Sequence, residues 1–361
     1  MKFSILRSKL LEALQTVQNV VSTKGALPIL QNALLTVQDR QLTITTTDLD
    51  ISEKCVVECE CDVPGSTTLP IRRLTSIIRE LGEDTIFIDV DEDDVSTIQC
   101  GSFYSKIIGM PMRDFPPSPQ SEGSFTFTID QGSVREMLKK TSYAVSLDET
   151  RVVLSGVLLS FKDSKLTMAA TDGRRLALVE HEVEFPEDAE TDIILPIKSV
   201  GELMRLLGND GTVKICTQNG QALFDLGKTT LSSKLLIGTY PNYRQVIPNG
   251  CEERITIDRD LLMAAIRRVS GVSTDIIKLT FKDNELTVSS TMPNVGEGRD
   301  IVPIKYSGKE ITIIFNPEFV MDPLKNMDDD EVYFELNDGH NPALIKCSIP
   351  FLYVLMPLRI N

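Results

Sequence analysis

The sequence predicts an α+β protein made of three tandem copies of one domain, each with two helices set against antiparallel sheet. Three observations predict it. A hairpin pattern recurs in LLTVQDRQLTITTTD, VLLSFKDSKLTMAATD and IKLTFKDNELTVSST, with Leu42, Leu166 and Leu286 spaced by 124 and 120 residues. Each hairpin follows a short strand that runs into an apolar 3.6-period segment. Each is followed by a second helix introduced by proline.

The elements follow in chain order. The opening segments are FSILRSKLLEAL, FTIDQGSVREML and ITIDRDLLMAAI. Leu10, Leu11, Leu14 and Val17, or Leu261, Leu262, Ala265 and Ile266, give the helical spacing. Asp130 and Asp258 stand at the N-cap position, and Ser8 takes that part in the first copy. The hairpins turn through three polar residues that include Asp39, Asp163 or Asp283. ISEKCVVECECDV alternates as one strand, with Cys55, Cys59 and Cys61 on one face. Same-face neighbours lie ~7 Å apart, too far to share a tetrahedral zinc. The second helices begin at Leu69-Pro70-Ile71, Leu195-Pro196-Ile197 and Phe315-Asn316-Pro317. Pro323 falls inside the third and should kink or shorten it. Each copy closes with strands that end in SKIIGMP, SKLLIGTYP or FLYVLMP. The Pro-rich MPMRDFPPSPQSEGS and YPNYRQVIPNGCEER read as linkers, giving domains at 1–122, 123–250 and 251–361.

The chain has 361 residues and a net charge of -15, which excludes a globally basic coat for nucleic acid but not a local basic surface. The six predicted helices carry +6 and the remaining chain -21. Their cations include Arg72, Arg73, Arg79, Arg135, Lys139, Lys140, Lys198, Arg205 and Arg267. If the helices share one side of a curved sheet, that side faces phosphate best. The acidic runs 89–94 and 328–331 read as solvated turns, because DVDEDD lacks the Gly and spaced Glu of a calcium loop.

Seven scattered cysteines read as reduced thiols, and two histidines give a metal site little to build with. No apolar run approaches the ~18 residues of a membrane span, so the expectation is a soluble cytoplasmic protein without a signal peptide. Leu226-Gly227-Lys228-Thr229 lacks the earlier Gly of a phosphate-binding loop and precedes a strand. Gly296-Glu297-Gly298 stands alone, and no nucleophile elbow or zinc-protease motif occurs. The expectation is a protein that is not an enzyme and needs no cofactor or metal.

ATDGRRLAL at 170–178, TYPNYRQVIP at 239–248 and YVLMPLR at 353–359 join MKFSILRSKLLEAL and LPILQN at 27–32. On three tandem units, these motifs make the chain resemble, end to end, the bacterial DNA polymerase III β subunits, the sliding clamps. The resemblance implies the DNA clamp fold and a head-to-tail homodimer closed into a ring around duplex DNA. Retention is then topological, and weak phosphate contacts without sequence preference suffice. It also implies partners that dock short linear peptides: replicative and translesion polymerases, the clamp loader, mismatch-repair proteins and ligase.

Carried over by motif, the peptide pocket comprises Arg151, Leu154, Thr171, Gly173, Arg174, Arg175, Leu176, Pro241 and Val246. Asn316, Phe319, Val354, Leu355, Met356, Pro357, Leu358 and Arg359 complete it. Arg174 stands where relatives often carry His, and Phe319 where they often carry Tyr. Taken alone, Leu176, Val246 and Val354 also fit ordinary core, and Asp172-Gly173 an ordinary turn. Lys24 and Arg72 match DNA-touching positions. Ile77, Ile78, Leu81, Lys106, Ile107 and Ile108 are expected at one side of the dimer interface, with Val269 and Val272 at the other. Two rival classes remain: a specialised clamp paralogue or peptide-binding adaptor acting without DNA, and an enzyme whose site the sequence hides.

Overall fold

The computed structural model describes residues 1–21, 27–117, 127–347 and 350–359. Its helices are α1 (Arg7–Val17), α2 (Ile71–Glu80), α3 (Gln131–Thr141), α4 (Ile197–Leu206), α5 (Arg259–Val269) and α6 (Pro317–Lys325), two for each predicted copy. The chain divides into two compact units, residues 1–132 with 201–235 and residues 133–200 with 236–361.

The first unit holds two antiparallel sheets. One orders Glu60–Val63, Lys2–Leu6, Thr85–Val90, Val95–Cys100 and Phe103–Ile108. The other orders Phe127–Asp130, Thr212–Gln218, Gln221–Asp225, Thr229–Lys234, Ile51–Glu58, Gln41–Thr47, Asn32–Gln38 and Gly65–Pro70. Leu10 and Leu14 of α1 and Leu74 and Ile78 of α2 pack with Leu35, Ile44 and Ile86 into one core. Burial of such side chains contributes roughly 1.5–3 kcal/mol each.

The second unit also holds two sheets. Its larger one runs Thr191–Pro196, Gly156–Lys162, Lys165–Thr171, Arg175–Glu182, Phe351–Leu355, Ala343–Lys346, Glu331–Leu336 and Glu253–Asp258. The smaller runs Gly296–Pro303, Glu285–Met292, Ile277–Lys282 and Ile311–Phe315. Leu262 and Ile266 of α5 and Val320 and Leu324 of α6 are fully buried.

The repeats therefore share sheets. Thr229 pairs with Cys55 and Ser233 with Ile51, so strands of the first and second repeats form one ladder. Arg175 pairs with Leu355 and Val179 with Phe351, which joins the second repeat to the third.

Several local expectations change. The hairpin turns hold two residues, not three: Gln38 pairs with Gln41, and Asp39 and Arg40 both take positive φ. Such turns match the right-handed strand twist. The Cys55 segment is two strands rather than one. Cys55 pairs with Ile44 in the eight-stranded sheet, whereas Cys61 pairs with Phe3 in the five-stranded one. Among the described residues no cluster suits a metal.

Asp258 caps α5 through its side chain, accepting from the Leu261 N–H at 2.8 Å. Ser8 does not cap α1, because the helix already begins at Arg7. The Ser8 N–H instead donates to Glu83 Oε1 at 3.2 Å, and the Ser8 side chain, with this bond and Arg7 assisting, holds the Glu83 carboxyl below its usual range. Asn316 caps α6, with Pro317 in the first turn and Pro323 inside the helix.

Candidate functional site

The residues carried over for the peptide pocket all lie in the second unit, and most meet where two segments touch. One is the turn after the strand Lys165–Thr171. Gly173 has a φ of +87°, and a Cβ there would come 3.2 Å from Arg151 Nη1. Glycine suits both the backbone and the space. Asp172 Oδ1 accepts from the N–H groups of Arg174 at 2.8 Å and Arg175 at 3.1 Å, and Thr171 Oγ1 from Gly173 at 3.1 Å. Arg151 Nη1 donates to the Asp172 carbonyl at 3.1 Å and braces the turn from outside.

The other segment is the end of the chain. The strand Phe351–Leu355 stops before Pro357, as its sequence predicts. Met356 N–H then donates to the Arg174 carbonyl at 3.0 Å, and Leu358 N–H to the Ile314 carbonyl at 2.8 Å. The Leu358 backbone is thereby tied to the strand Ile311–Phe315 of the smaller sheet.

Leu176 and Val354 face each other across the ladder, both almost fully buried. They share an apolar cluster with Leu158, Ala169, Ile194 and Leu344, over which Val153, Tyr240, Tyr243 and Ile247 pack. Leu355 is buried too, so these residues form a floor rather than an open surface. Val152, Val246 and Met356, each within two residues in sequence of a member of that cluster, are exposed apolar side chains, at 51%, 48% and 42%. Leu154 is half-buried and Pro241 exposed. A cleft of about 450 Å³ borders that apolar cluster, lined by Leu158, Ile194, Tyr240, Tyr243 and Arg244 among others, with Pro241 the one carried-over residue in its lining.

Arg174 and Arg359 are exposed, but Arg175 is no rim cation. Its guanidinium is buried against Asp172, at 3.0 Å, and Asp322, at 2.5 Å. It also lies 4.3 Å from the centre of the Phe319 ring. Asn316 spends its side chain on capping α6, accepting from Glu318 N–H at 2.8 Å and Phe319 N–H at 3.3 Å. The sequence reading missed Asp172, Tyr143, Tyr240, Asp322 and Tyr353. Asp172 lay inside ATDGRRLAL and Tyr353 inside YVLMPLR; for Asp322 the only signal was its place one turn beyond Phe319.

The helix cations sort into two groups. Arg72, Arg73, Arg79 and Arg267 are exposed, as are Arg135 and Lys198. Lys140 is not, because its side chain is buried beside Glu136 at 2.7 Å. Arg205 is committed to Glu53, a fully buried carboxyl group held at 2.9 and 3.0 Å. Burial pushes the Glu53 carboxyl up to about 8, against the pull of Arg205. Lys139 pairs with Asp328 at 3.2 Å. Lys24 lies outside the described residues.

The residues named for the dimer interface also divide. Ile78, Ile107 and Val269 are core, at most 2% exposed, so they present no surface to a partner. Ile77 and Leu81 are half-buried against the first unit's core, and Val272 packs on Gly298. Lys106 and Ile108 are exposed on Phe103–Ile108, the edge strand of its sheet, together with Phe103 and Tyr104.

The description DNA polymerase III beta subunit, N-terminal domain, matches residues 1–119; its central domain matches 128–242 and its C-terminal domain 244–359. The chain is 34% identical to the Beta sliding clamp of Chlamydia muridarum over the whole of both chains. It is 32% identical to that of Pseudomonas aeruginosa, again over the whole of both. Among solved structures, the Pseudomonas aeruginosa clamp bound to griselimycin aligns with a TM-score of 0.96 at 32% identity, covering all of both chains. The DNA polymerase sliding clamp of Bacillus subtilis aligns with a TM-score of 0.96 at 28% identity, also over all of both.

Proposed function

Because the chain belongs to the DNA polymerase III beta subunit family, we propose that it is the processivity factor of a DNA polymerase, a ring that encircles duplex DNA and tethers its partners through the Leu176–Met356 groove. It is an accessory subunit and not an enzyme. The observation that carries the partner-binding part is Met356, an exposed apolar side chain held by its backbone against the Arg174 carbonyl beside a buried floor. An exposed flexible thioether, together with the exposed Val246 and Val152, suits a short apolar peptide. The partners are the polymerases, clamp loader, mismatch-repair and ligase proteins that the family implies, and the site of action is the cytoplasm, on the chromosome.

The domains of the ring are 1–122, 123–250 and 251–361. Duplex contacts fall to the exposed helix cations Arg72, Arg73, Arg79, Arg135, Lys198 and Arg267, with Lys24 beside them. An acidic protein can work in this way because a closed ring needs no tight phosphate contacts.

The dimer joins two sheet edges. Phe103–Ile108 and Gly296–Pro303 are both edge strands carrying exposed apolar residues, Ile108 on the first and Ile301 on the second. Pairing the first edge of one copy with the second edge of another removes both from solvent and closes the ring. The mass in solution tests this: a stable dimer of the 40.1 kDa chain is expected, and Ile108→Asp should yield a folded monomer. A wild-type monomer at micromolar concentration would contradict the ring.

A further inference from the structure

This inference rests on the groove reading above and concerns what holds the groove's walls together. In α6, Pro323 has no N–H to offer the carbonyl four residues earlier, that of Phe319. A carbonyl left unpaired in the interior is costly. Tyr353 supplies the missing donor: its hydroxyl donates to the Phe319 carbonyl at 2.8 Å. Tyr353 is fully buried and sits immediately before Val354 on the strand that leads to Met356.

A second connection leaves the same helix three residues on. Asp322 Oδ2 accepts from Arg175 Nη1 at 2.5 Å, while Arg175 Nε donates to Asp172 Oδ2 at 3.0 Å and Nη2 to the Tyr143 carbonyl at 2.7 Å. Asp172 uses its other oxygen to fix the turn whose Arg174 carbonyl holds Met356. One run of contacts thus links α6, the turn and the chain end. A buried ion pair stabilises little by itself. What the planar guanidinium supplies is geometry, because one rigid fork meets acceptors from three separate segments.

We propose that Asp322 and Tyr353 are positioning residues of the peptide groove, Asp322 acting through Arg175 and Tyr353 through the carbonyl that Pro323 leaves unpaired. Neither residue borders the groove, yet each fixes one of its walls.

The test uses the full chain and a fluorescein-labelled hexapeptide containing Gln and Leu, with affinity read by anisotropy and mass and thermal midpoint read alongside. Asp322→Ala should weaken binding about tenfold, the equivalent of one lost charged hydrogen bond. Asp322→Asn keeps an acceptor and should weaken it less. Tyr353→Phe should weaken binding several-fold, and Tyr353→Phe combined with Pro323→Ala should restore it, because the new backbone N–H returns to the Phe319 carbonyl. A Tyr353 that merely fills space gives no such rescue. Wild-type affinity in Asp322→Ala and Tyr353→Phe would overturn the inference while leaving the groove standing. Absence of binding by the wild-type chain would overturn the groove reading and this inference together.

Discussion

Glu53 shows how one residue can be needed and strained at once. Its carboxyl is fully buried, and Arg205 meets both oxygens while Glu202 lies close enough to oppose its ionisation. Its pKa is raised by burial to about 8, above the ordinary 4.5. The folded chain therefore binds this proton more tightly than the unfolded chain does. The resulting stability is complete below about pH 4.5 and is lost as pH rises through about 8. Chemical denaturation between pH 5 and 9 should show stability falling with pH, and Glu53→Gln should flatten that fall. An identical slope in both proteins would remove Glu53 as its source. Met356 gives a second prediction at this scale. Met356→Ala should cost about 1–3 kcal/mol of peptide affinity if the thioether is a buried anchor in the complex. Calorimetry with the Gln- and Leu-containing peptide measures it, and unchanged affinity would remove Met356 from the site.

At the scale of the element, the helices carry the contrast between surface charge and structural charge. Arg73, Arg79 and Arg267 are exposed, whereas Lys140 and Arg205 hold buried or half-buried carboxyl groups. Replacing the first three with Ala should lower the salt slope of DNA binding by about 1 for each lost phosphate contact. Lys140→Ala and Arg205→Ala should instead lower the thermal midpoint and leave that slope nearly unchanged. A salt slope indifferent to all five changes would mean the helices are not the DNA face. Sequence could not separate the two groups, because Lys140 and Lys139 are neighbours on one helix and differ only in which way they point. The same limit explains Ile78, which has the composition of an interface residue and the position of a core one. Pro323 is the reverse case. Its lost hydrogen bond was legible, but the compensating Tyr353 hydroxyl lies 30 residues on in the sequence and has no local signal.

For the whole molecule, the threefold repeat was legible because each copy restates the same alternation, capping and proline signals. The helices fall close to where those signals put them, α1 starting at Arg7 ahead of the Ser8 signal. What the repeat did not reveal is that neighbouring copies share sheets, as when Thr229–Lys234 pairs with Ile51–Glu58. Strand alternation says which face is apolar and nothing about which distant strand supplies the ladder. The groove was legible only through the motif resemblance. Its floor residues read equally well as core, and they are core, whereas Met356, Val246 and Val152 are exposed.

A ring also makes a claim that no surface-bound protein makes, since its hold on DNA depends on the DNA having no ends. Loaded by a clamp loader onto nicked circular plasmid and passed through a gel-filtration column at 0.2–0.5 M salt (roughly, enough to screen phosphate contacts), the protein should co-elute with the circle. It should be released when a single restriction cut linearises the plasmid. Equal retention on circular and linear DNA, or loss from both at moderate salt, would contradict a topological clamp.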